Sequence, residues 1–335
     1  MAWFGAVQAQ DYRGFLWAVG QRLAASVAAD VEEAIATRAI VRTWPMRRTL
    51  HFVAAADARW MLGLLAARLV RSNAGRYRQL ELEAATFARS RKVLARALAG
   101  GGRLTRPAAY AALERGGISP EGQRGIHILA HLAQEGMICF GAREGNQPTF
   151  VLLDDWVPAA PRLSREEALA RLATMYFRSH GPATARDFAW WAGLPARDVA
   201  AAVVEAAPAL VRETHAGRHY FTGPGAPPRR LRSAALLPPW DEYLVAYKGR
   251  EAALGHLAAD PPPMVIGKSL IVIDGRVRGA WSRAATASRV QVTLEFWSPP
   301  TDRERRAATG AAARYGRFVG KAIEVAIKTD ARRRP

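Results

Sequence analysis

Three times before residue 223 this chain runs through one order of elements: a helical stretch, an apolar strand, a turn and a second strand. The segment from Asp30 (DVEEAIATR) leads to Ile40-Val41, a turn, and Thr49 to Val53. The segment Ser119 to Glu135 (SPEGQRGIHILAHLAQE) leads to Met137 to Phe140, a polar stretch from Gly141 to Gln147, and Phe150 to Leu153. The segment after Pro195 (ARDVAAAVVEAA) leads to Leu210 to Arg212, a turn at Ala216-Gly217, and His219 to Phe221. Helical periodicity giving way to short apolar runs around a turn is the back half of a winged helix-turn-helix unit, although a generic α+β mixture shares it. The front halves favour the winged unit. Thr105 precedes a helix around Tyr110 to Leu113 with Pro107 in its first turn, and Thr184 with Asp187 three residues on forms a capping-box pattern closed by Gly193. Three tandem winged helices are therefore expected, over 1–80, 81–160 and 161–223.

Beyond the Pro/Gly-rich stretch Gly223 to Pro228, which reads as a linker, the period changes. Strands are expected over Val265 to Ile273, Val277 to Ser282 and Val290 to Trp297, the first two joined through Asp274-Gly275, a strong hairpin signal. A closing helix from Thr301 to about Ile327 should pack back through Phe318, Ile323 and Ile327, with Arg332-Arg333-Arg334 as a frayed basic tail. The fold class is thus α+β, with a β-rich domain over 224–335 after the winged helices.

Charge narrows the partner. The formal net charge is +19, carried almost wholly by Arg, the lysines being Lys92, Lys248, Lys268, Lys321 and Lys328. Codon bias explains Arg in place of Lys, but not an excess of bases over acids, so a polyanion, by default nucleic acid, is the expected partner. Cys139 is the single cysteine, which excludes an intrachain disulfide and a thiolate metal cluster. No apolar run reaches membrane-spanning length and no signal-peptide pattern opens the chain, so a cytoplasmic, soluble protein is expected.

Gln8-Ala9-Gln10-Asp11-Tyr12 places two neutral amides around one small apolar residue. Such a pair can position a water but cannot act as a strong base. Only a substrate whose leaving group already carries positive charge can be hydrolysed with so little help, and an N7-alkylated purine in DNA is one. On a continuous helix, residues two apart point about 200° away from each other. Gln8 should therefore end a short helix and Gln10 lie in an extended or turn conformation. Asp11 should cap the next helix, whose inner side carries Phe15, Leu16, Val19 and Leu23. The plainer alternative is that both amides satisfy backbone groups at a helix corner.

Three stretches, Gln8 to Ala18, Arg42-Thr43-Trp44-Pro45-Met46-Arg47-Arg48-Thr49-Leu50-His51, and Leu237-Pro238-Pro239-Trp240-Asp241-Glu242-Tyr243-Leu244, resemble the AlkZ-like DNA glycosylases. That bacterial family unhooks bulky alkylpurine adducts and interstrand crosslinks, and the resemblance covers essentially the whole chain. It implies three tandem winged helices and a β-rich region arranged as a C-shaped clamp, and it carries the family's catalytic pair onto Gln8 and Gln10. It also implies a full helix before the motif, where Met1 leaves only about two turns, anchored by Trp3, Phe4 and Val7. The expected activity is monofunctional removal of cationic N-alkylpurines from double-stranded DNA, with no metal or organic cofactor and no obligate protein partner, in a monomer. No lysine lies near the motif to form a Schiff base, and with Gln rather than Asp at position 10 little activity is expected on neutral bases. The competing class is a non-enzymatic winged-helix regulator.

The resemblance places Trp44 to His51 as the first wing, with its turn at or after Pro45 and with Arg48 where members usually have Gly. Arg47 and Arg48 are expected to contact phosphate. His51 can lie near the active site or be a satisfied structural histidine, while Trp44, Met46 and Leu50 belong to the core. Arg71 and Arg76, in a stripe with Arg68 and Arg78, and Arg91, clustered with Arg89, Lys92 and Arg96, are further phosphate candidates, although solvated helix faces look the same. His127 and His131 have the i, i+4 spacing of a zinc pair but lack a third ligand and read as structural or surface residues. His215 and His219 flank a wing turn. Gly100-Gly101-Gly102 lacks the Lys-Ser/Thr of a phosphate loop, and Asp241-Glu242 reads as a structural salt bridge.

Overall fold

The computed structural model describes residues 1–224, 233–255, 265–286 and 288–329. The linker from Gly225 onward, Pro261-Pro262-Pro263 and Arg332-Arg333-Arg334 lie outside the described residues. The fold mixes helix and sheet in two compact units, one formed by Met1–Val7 with Ala34–Pro224 and the other by Gln8–Glu33 with Gly225–Pro335. The division falls between Val7 and Gln8, at the start of the amide motif.

In the first unit, strands β1 (Ala6–Gln8), β2 (Ile40–Met46), β3 (Thr49–Ala54), β4 (Leu104–Thr105), β5 (Ile138–Phe140) and β6 (Thr149–Leu152) form one sheet in the order β1-β3-β2-β5-β6-β4. The β2–β3 and β5–β6 pairs are antiparallel hairpins, and β2 meets β5 at Arg42 and Phe140. The hairpins of the first two helix-strand blocks therefore share a sheet. Phe140 and Phe150 on that sheet pack against Leu94, Leu98, Leu113, Ile128 and Leu132 from the helices Ala84–Leu98, Arg106–Arg115 and Arg124–Gln134. The last of these begins at Arg124, later than the expected Ser119, because Gly122 and Gln123 take left-handed φ of 55° and 74° and interrupt any earlier turn. The third block packs Tyr176, Phe177, Phe188 and Trp191 between the helices Arg165–His180 and Ala185–Ala192. Its hairpin, β7 (Val211–His215) with β8 (Arg218–Thr222), forms a separate, largely exposed two-stranded sheet.

Local signals formed as expected at several ends. The Thr105 hydroxyl accepts from the Ala108 N–H, Thr184 and Asp187 make a full capping box, and Gly193 closes that helix in the left-handed conformation. At the first hairpin Met46 pairs with Thr49 across a two-residue loop in which Arg47 (φ 52°) and Arg48 (φ 58°) are both left-handed. That is the backbone a tight hairpin demands, and non-Gly residues adopt it at a cost. Pro45 does not end β2. It sits where the register shifts between Thr43 and Met46, an irregularity of the kind that tolerates a strand proline.

The second unit holds a five-stranded sheet in the order β13-β12-β11-β10-β9, from β9 (Ala234–Leu237), β10 (Leu270–Ile273), β11 (Arg276–Ala285), β12 (Arg289–Phe296) and β13 (Ala322–Thr329). β10 and β11 meet across Asp274 (φ 47°) and Gly275 (φ 78°), the expected turn, although β10 begins at Leu270 and not at Val265. The expected helix to Ile327 is corrected. It spans Asp302–Val319, capped by Thr301 with Glu304 and stopped by Gly320 at φ 65°. The residues after it, AIEVAIKT, alternate and form β13, parallel to β12. A helix between two strands is the connection that a parallel pair requires.

Arg48→Gly is expected to raise the unfolding free energy by about 1 kcal/mol, measured by urea denaturation, because glycine removes the Cβ penalty at a left-handed turn position.

Candidate active site

The amide motif is built differently from the helix-end arrangement expected of it. Phe4 and Gly5 donate backbone hydrogen bonds to the Met1 carbonyl, and Gly5 turns out of this loop with φ 76°. A Cβ at Gly5 would lie 3.2 Å from Met175 and Trp191, so the chain passes close to the third block here. The left-handed residue prevents a helix from continuing, and Ala6-Val7-Gln8 becomes a strand. Gln8 thus ends a strand, which removes the helical divergence between residues two apart. Gln8 is buried, at 9% exposure, Ala9 is buried, and Gln10 is exposed.

What fixes Gln8 comes from the far end of the sequence. Its backbone N–H donates to Oε1 of Glu242 at 3.0 Å, and the Glu242 side chain lies in a residue only 2% exposed. Asp11 holds the N-cap position of the helix Tyr12–Gly20 in extended conformation without a side-chain capping bond, and its carboxylate lies 3.9 Å from Arg283. The helix buries Phe15, Leu16, Trp17 and Ala18. Leu23, expected on the inner side, is 47% exposed because the helix has already ended at Gly20. Trp17 donates through Nε1 to the Leu236 carbonyl at 2.6 Å and packs against Tyr315 and Phe318.

Arg22 completes the anchor. It grips Asp241 through both terminal nitrogens, at 2.9 and 2.6 Å, and donates to the Ala18 carbonyl at 2.7 Å. Burial disfavours its charge, but the contact with Asp241 outweighs this and raises the guanidinium pKa above its ordinary value. Asp241 also caps the short helix Glu242–Val245 by accepting from the Tyr243 N–H at 2.9 Å. The acidic pair expected as a structural salt bridge therefore divides its work: Asp241 pairs with Arg22, and Glu242 turns to the amide motif. Trp240, just before them, is partly exposed and left-handed, with φ 61°.

The remaining candidate residues belong to the first unit. His51 is 0% exposed, with Nδ1 3.0 Å from the Thr49 carbonyl and Nε2 3.1 Å from Arg47. A guanidinium can only donate, so Nε2 accepts, the proton sits on Nδ1, and the ring is neutral. Arg48 is exposed and reaches Asn73 at 3.5 Å. Arg71 and Arg91 line a cavity of about 880 Å³ with Arg78, Glu81, Glu83 and His131. Arg91 is ion-paired with Glu135, and Arg76 donates to Gln79 and Gln123.

His131 stacks on Phe87 with ring centroids 3.7 Å apart, and burial lowers its pKa below the ordinary value although Glu135 opposes this. Burial also lowers the pKa of His127. Among the described residues no group of three or more His, Cys, Asp or Glu could hold a metal ion. Burial pushes up the pKa of Cys139, as suits an inert core thiol. No described helix is long and apolar enough to cross a membrane.

Sequence reasoning does not single out Arg22 or Arg283, and it gives Glu242 a salt bridge in place of its bond to the Gln8 backbone. The partners of Arg22 and Glu242 lie more than 200 residues away, and no local spacing announces such a contact.

The chain is similar to known proteins over most of its length. Residues 1–318 match the model of a family described as DNA glycosylase AlkZ-like. An interstrand DNA cross-link repair glycosylase of Streptomyces sahachiroi is 27% identical over 307 residues, covering 82% of this chain and 79% of that protein. The structure of the Streptomyces sahachiroi DNA glycosylase AlkZ superposes with a TM-score of 0.77 at 23% identity, covering 98% of this chain and 92% of the other.

Arg22→Met is expected to cost about 3 kcal/mol of stability in urea denaturation, since it leaves the Asp241 carboxylate buried without its countercharge. A loss below about 0.5 kcal/mol, the range of an ordinary surface substitution, would show that the pair does not anchor the motif helix.

Proposed function

The chain belongs to the AlkZ-like DNA glycosylases, and we propose that it is a monofunctional enzyme that hydrolyses the N-glycosidic bond of cationic N-alkylpurines in double-stranded DNA. The observation that carries this reading is the uncharged amide pair itself, Gln8 buried and tied by its backbone to Glu242, Gln10 exposed two residues on.

Alkylation at N7 makes guanine cationic and weakens its bond to the sugar. As the C1′–N9 bond breaks, the electron pair goes to the purine, which departs neutral, and positive charge develops on the sugar. No general acid is then needed at the leaving group, a contribution otherwise worth about 10² to 10⁴ in rate. The protein's part is to place a water beneath C1′ and to turn amide carbonyl dipoles toward the developing charge. Water adds to C1′, its proton passes to solvent, and an abasic site remains. The step draws on no metal or organic cofactor. The same chemistry serves an interstrand crosslink made through N7, and a bulky adduct need not be extruded into a pocket as a small base is.

In this reading the three helix-hairpin blocks are winged helices that carry the duplex, and the net charge of +19 supplies the attraction. Arg47 and Arg48, at the tip of the first hairpin, contact phosphate. His51 is too deeply buried to do so and serves by holding Arg47. Arg71 and Arg91 line a concave, arginine-bearing face, and Arg76 is held by its glutamine partners. The enzyme acts in the cytoplasm as a monomer.

Incubation with an N7-methylguanine duplex followed by alkali is expected to yield strand breaks that disappear in the Gln8→Ala, Gln10→Ala double variant. Tight binding without breaks would make the protein a DNA-binding regulator instead. The Arg47→Ala, Arg48→Ala double variant should bind more weakly to any duplex and should flatten the log–log salt dependence of binding by about 2. An unchanged slope would remove the first hairpin from the DNA interface.

A further inference from the structure

Glu242 makes a contact that its neighbour's ion pair does not require. Its carboxylate accepts the backbone N–H of Gln8 at 3.0 Å, across 234 residues of sequence, in surroundings that leave it 2% exposed. Gln8 is itself buried, at the point where β1 ends, so its N–H must find an acceptor within the protein. A carboxylate supplies a shorter, stronger bond than a neutral oxygen does. Burying a carboxylate is costly unless a countercharge is close, and Arg22, held by Asp241, lies near enough to feel Glu242 as well.

The segment that presents Glu242 is held from several sides. The Trp240 N–H donates to the Ile266 carbonyl at 3.0 Å, and Asp241 is gripped by Arg22 and caps the helix that Glu242 begins. Trp240 adopts a left-handed φ of 61°, a conformation a large side chain keeps only when its surroundings over-determine it. Strain of that kind is tolerated where a segment has a position to hold. Here the position is that of Glu242, and what Glu242 touches is the backbone of the first amide of the motif.

We propose that Glu242 is the positioning residue of the amide motif: its carboxylate holds the Gln8 backbone, and so sets the point from which the Gln8 side chain addresses the damaged nucleoside. This rests on the glycosylase reading of Gln8. Glu242 acts through that peptide and touches no reacting atom. A displacement of about 1 Å in such a group costs on the order of a hundredfold in rate.

Two near-isosteric variants separate position from charge. Glu242→Gln keeps the acceptor at the same reach and gives up the charge. Glu242→Asp keeps the charge and withdraws it by one methylene. Single-turnover rate and DNA affinity are measured on the N7-methylguanine duplex, with thermal unfolding alongside and amide hydrogen exchange of the Gln8 N–H read by NMR. The expected result is that Glu242→Gln stays within about tenfold of the parent rate, while Glu242→Asp loses about a hundredfold. Affinity should remain close to the parent's for both, and Gln8 should exchange faster only in Glu242→Asp. Parental rate and parental exchange in Glu242→Asp would overturn the proposal. So would a Glu242→Gln rate as low as that of Glu242→Asp, which would show that the charge and not the contact matters. If the parent protein does not release the base, the glycosylase reading fails, and the exchange of the Gln8 amide still decides whether Glu242 holds it.

Discussion

The forked ion pair of Arg22 with Asp241 is the joint on which the arrangement around the amide motif depends. It ties the end of the helix Tyr12–Gly20 to a segment 219 residues away, at 2.9 and 2.6 Å. A buried ion pair adds little net stability compared with an apolar pair of the same size, because desolvation consumes most of the attraction. Its value lies in geometry: a planar guanidinium meets a carboxylate in one register, and small displacements lose both bonds. Because Asp241 is fixed in this way, Glu242 begins its short helix in a fixed place, and the Gln8 peptide has its acceptor there.

In the catalytic role proposed for the amide pair, so spare an arrangement suffices only for a substrate that brings its own activation. In the proposed reaction a cationic purine leaves without protonation, and the glutamines would contribute dipoles and a held water where many hydrolases place a carboxylate base. Groups that weak would act chiefly by position, and the structure does invest in backbone placement beside them: the Asp241 cap, the Arg22 fork and the left-handed Trp240. The net charge of +19 gives a long-range field that attracts a polyanion and does not depend on any single contact.

How far the sequence could be read depends on the range of each interaction. Thr184 with Asp187, Thr301, and the Asp274-Gly275 turn act within a few residues of themselves, and each formed as its chemistry requires. A helix running from Thr301 to Ile327 is what the sequence suggests, because Ile323 and Ile327 also fit a helical stripe. Gly320 and the edge of β12 decide for a strand instead. Gln8 is expected at a helix end because residues two apart on a continuous helix diverge and cannot share a site. The left-handed turn at Gly5 and the edge of the sheet draw Ala6–Gln8 into a strand.

By itself the sequence determined the order of the hairpins, the basic charge and the presence of the amide pair, since all of these follow from composition and from contacts a few residues long. Only the tertiary structure decided that the first two hairpins share a sheet, that Gln8 to Glu33 group with the C-terminal strands, and that Glu242 receives the Gln8 N–H. Those outcomes are set by sheet edges and buried polar groups seeking partners. The partner of a buried N–H is whatever acceptor the whole fold brings within about 3 Å, and nothing near it in the chain records which one that will be.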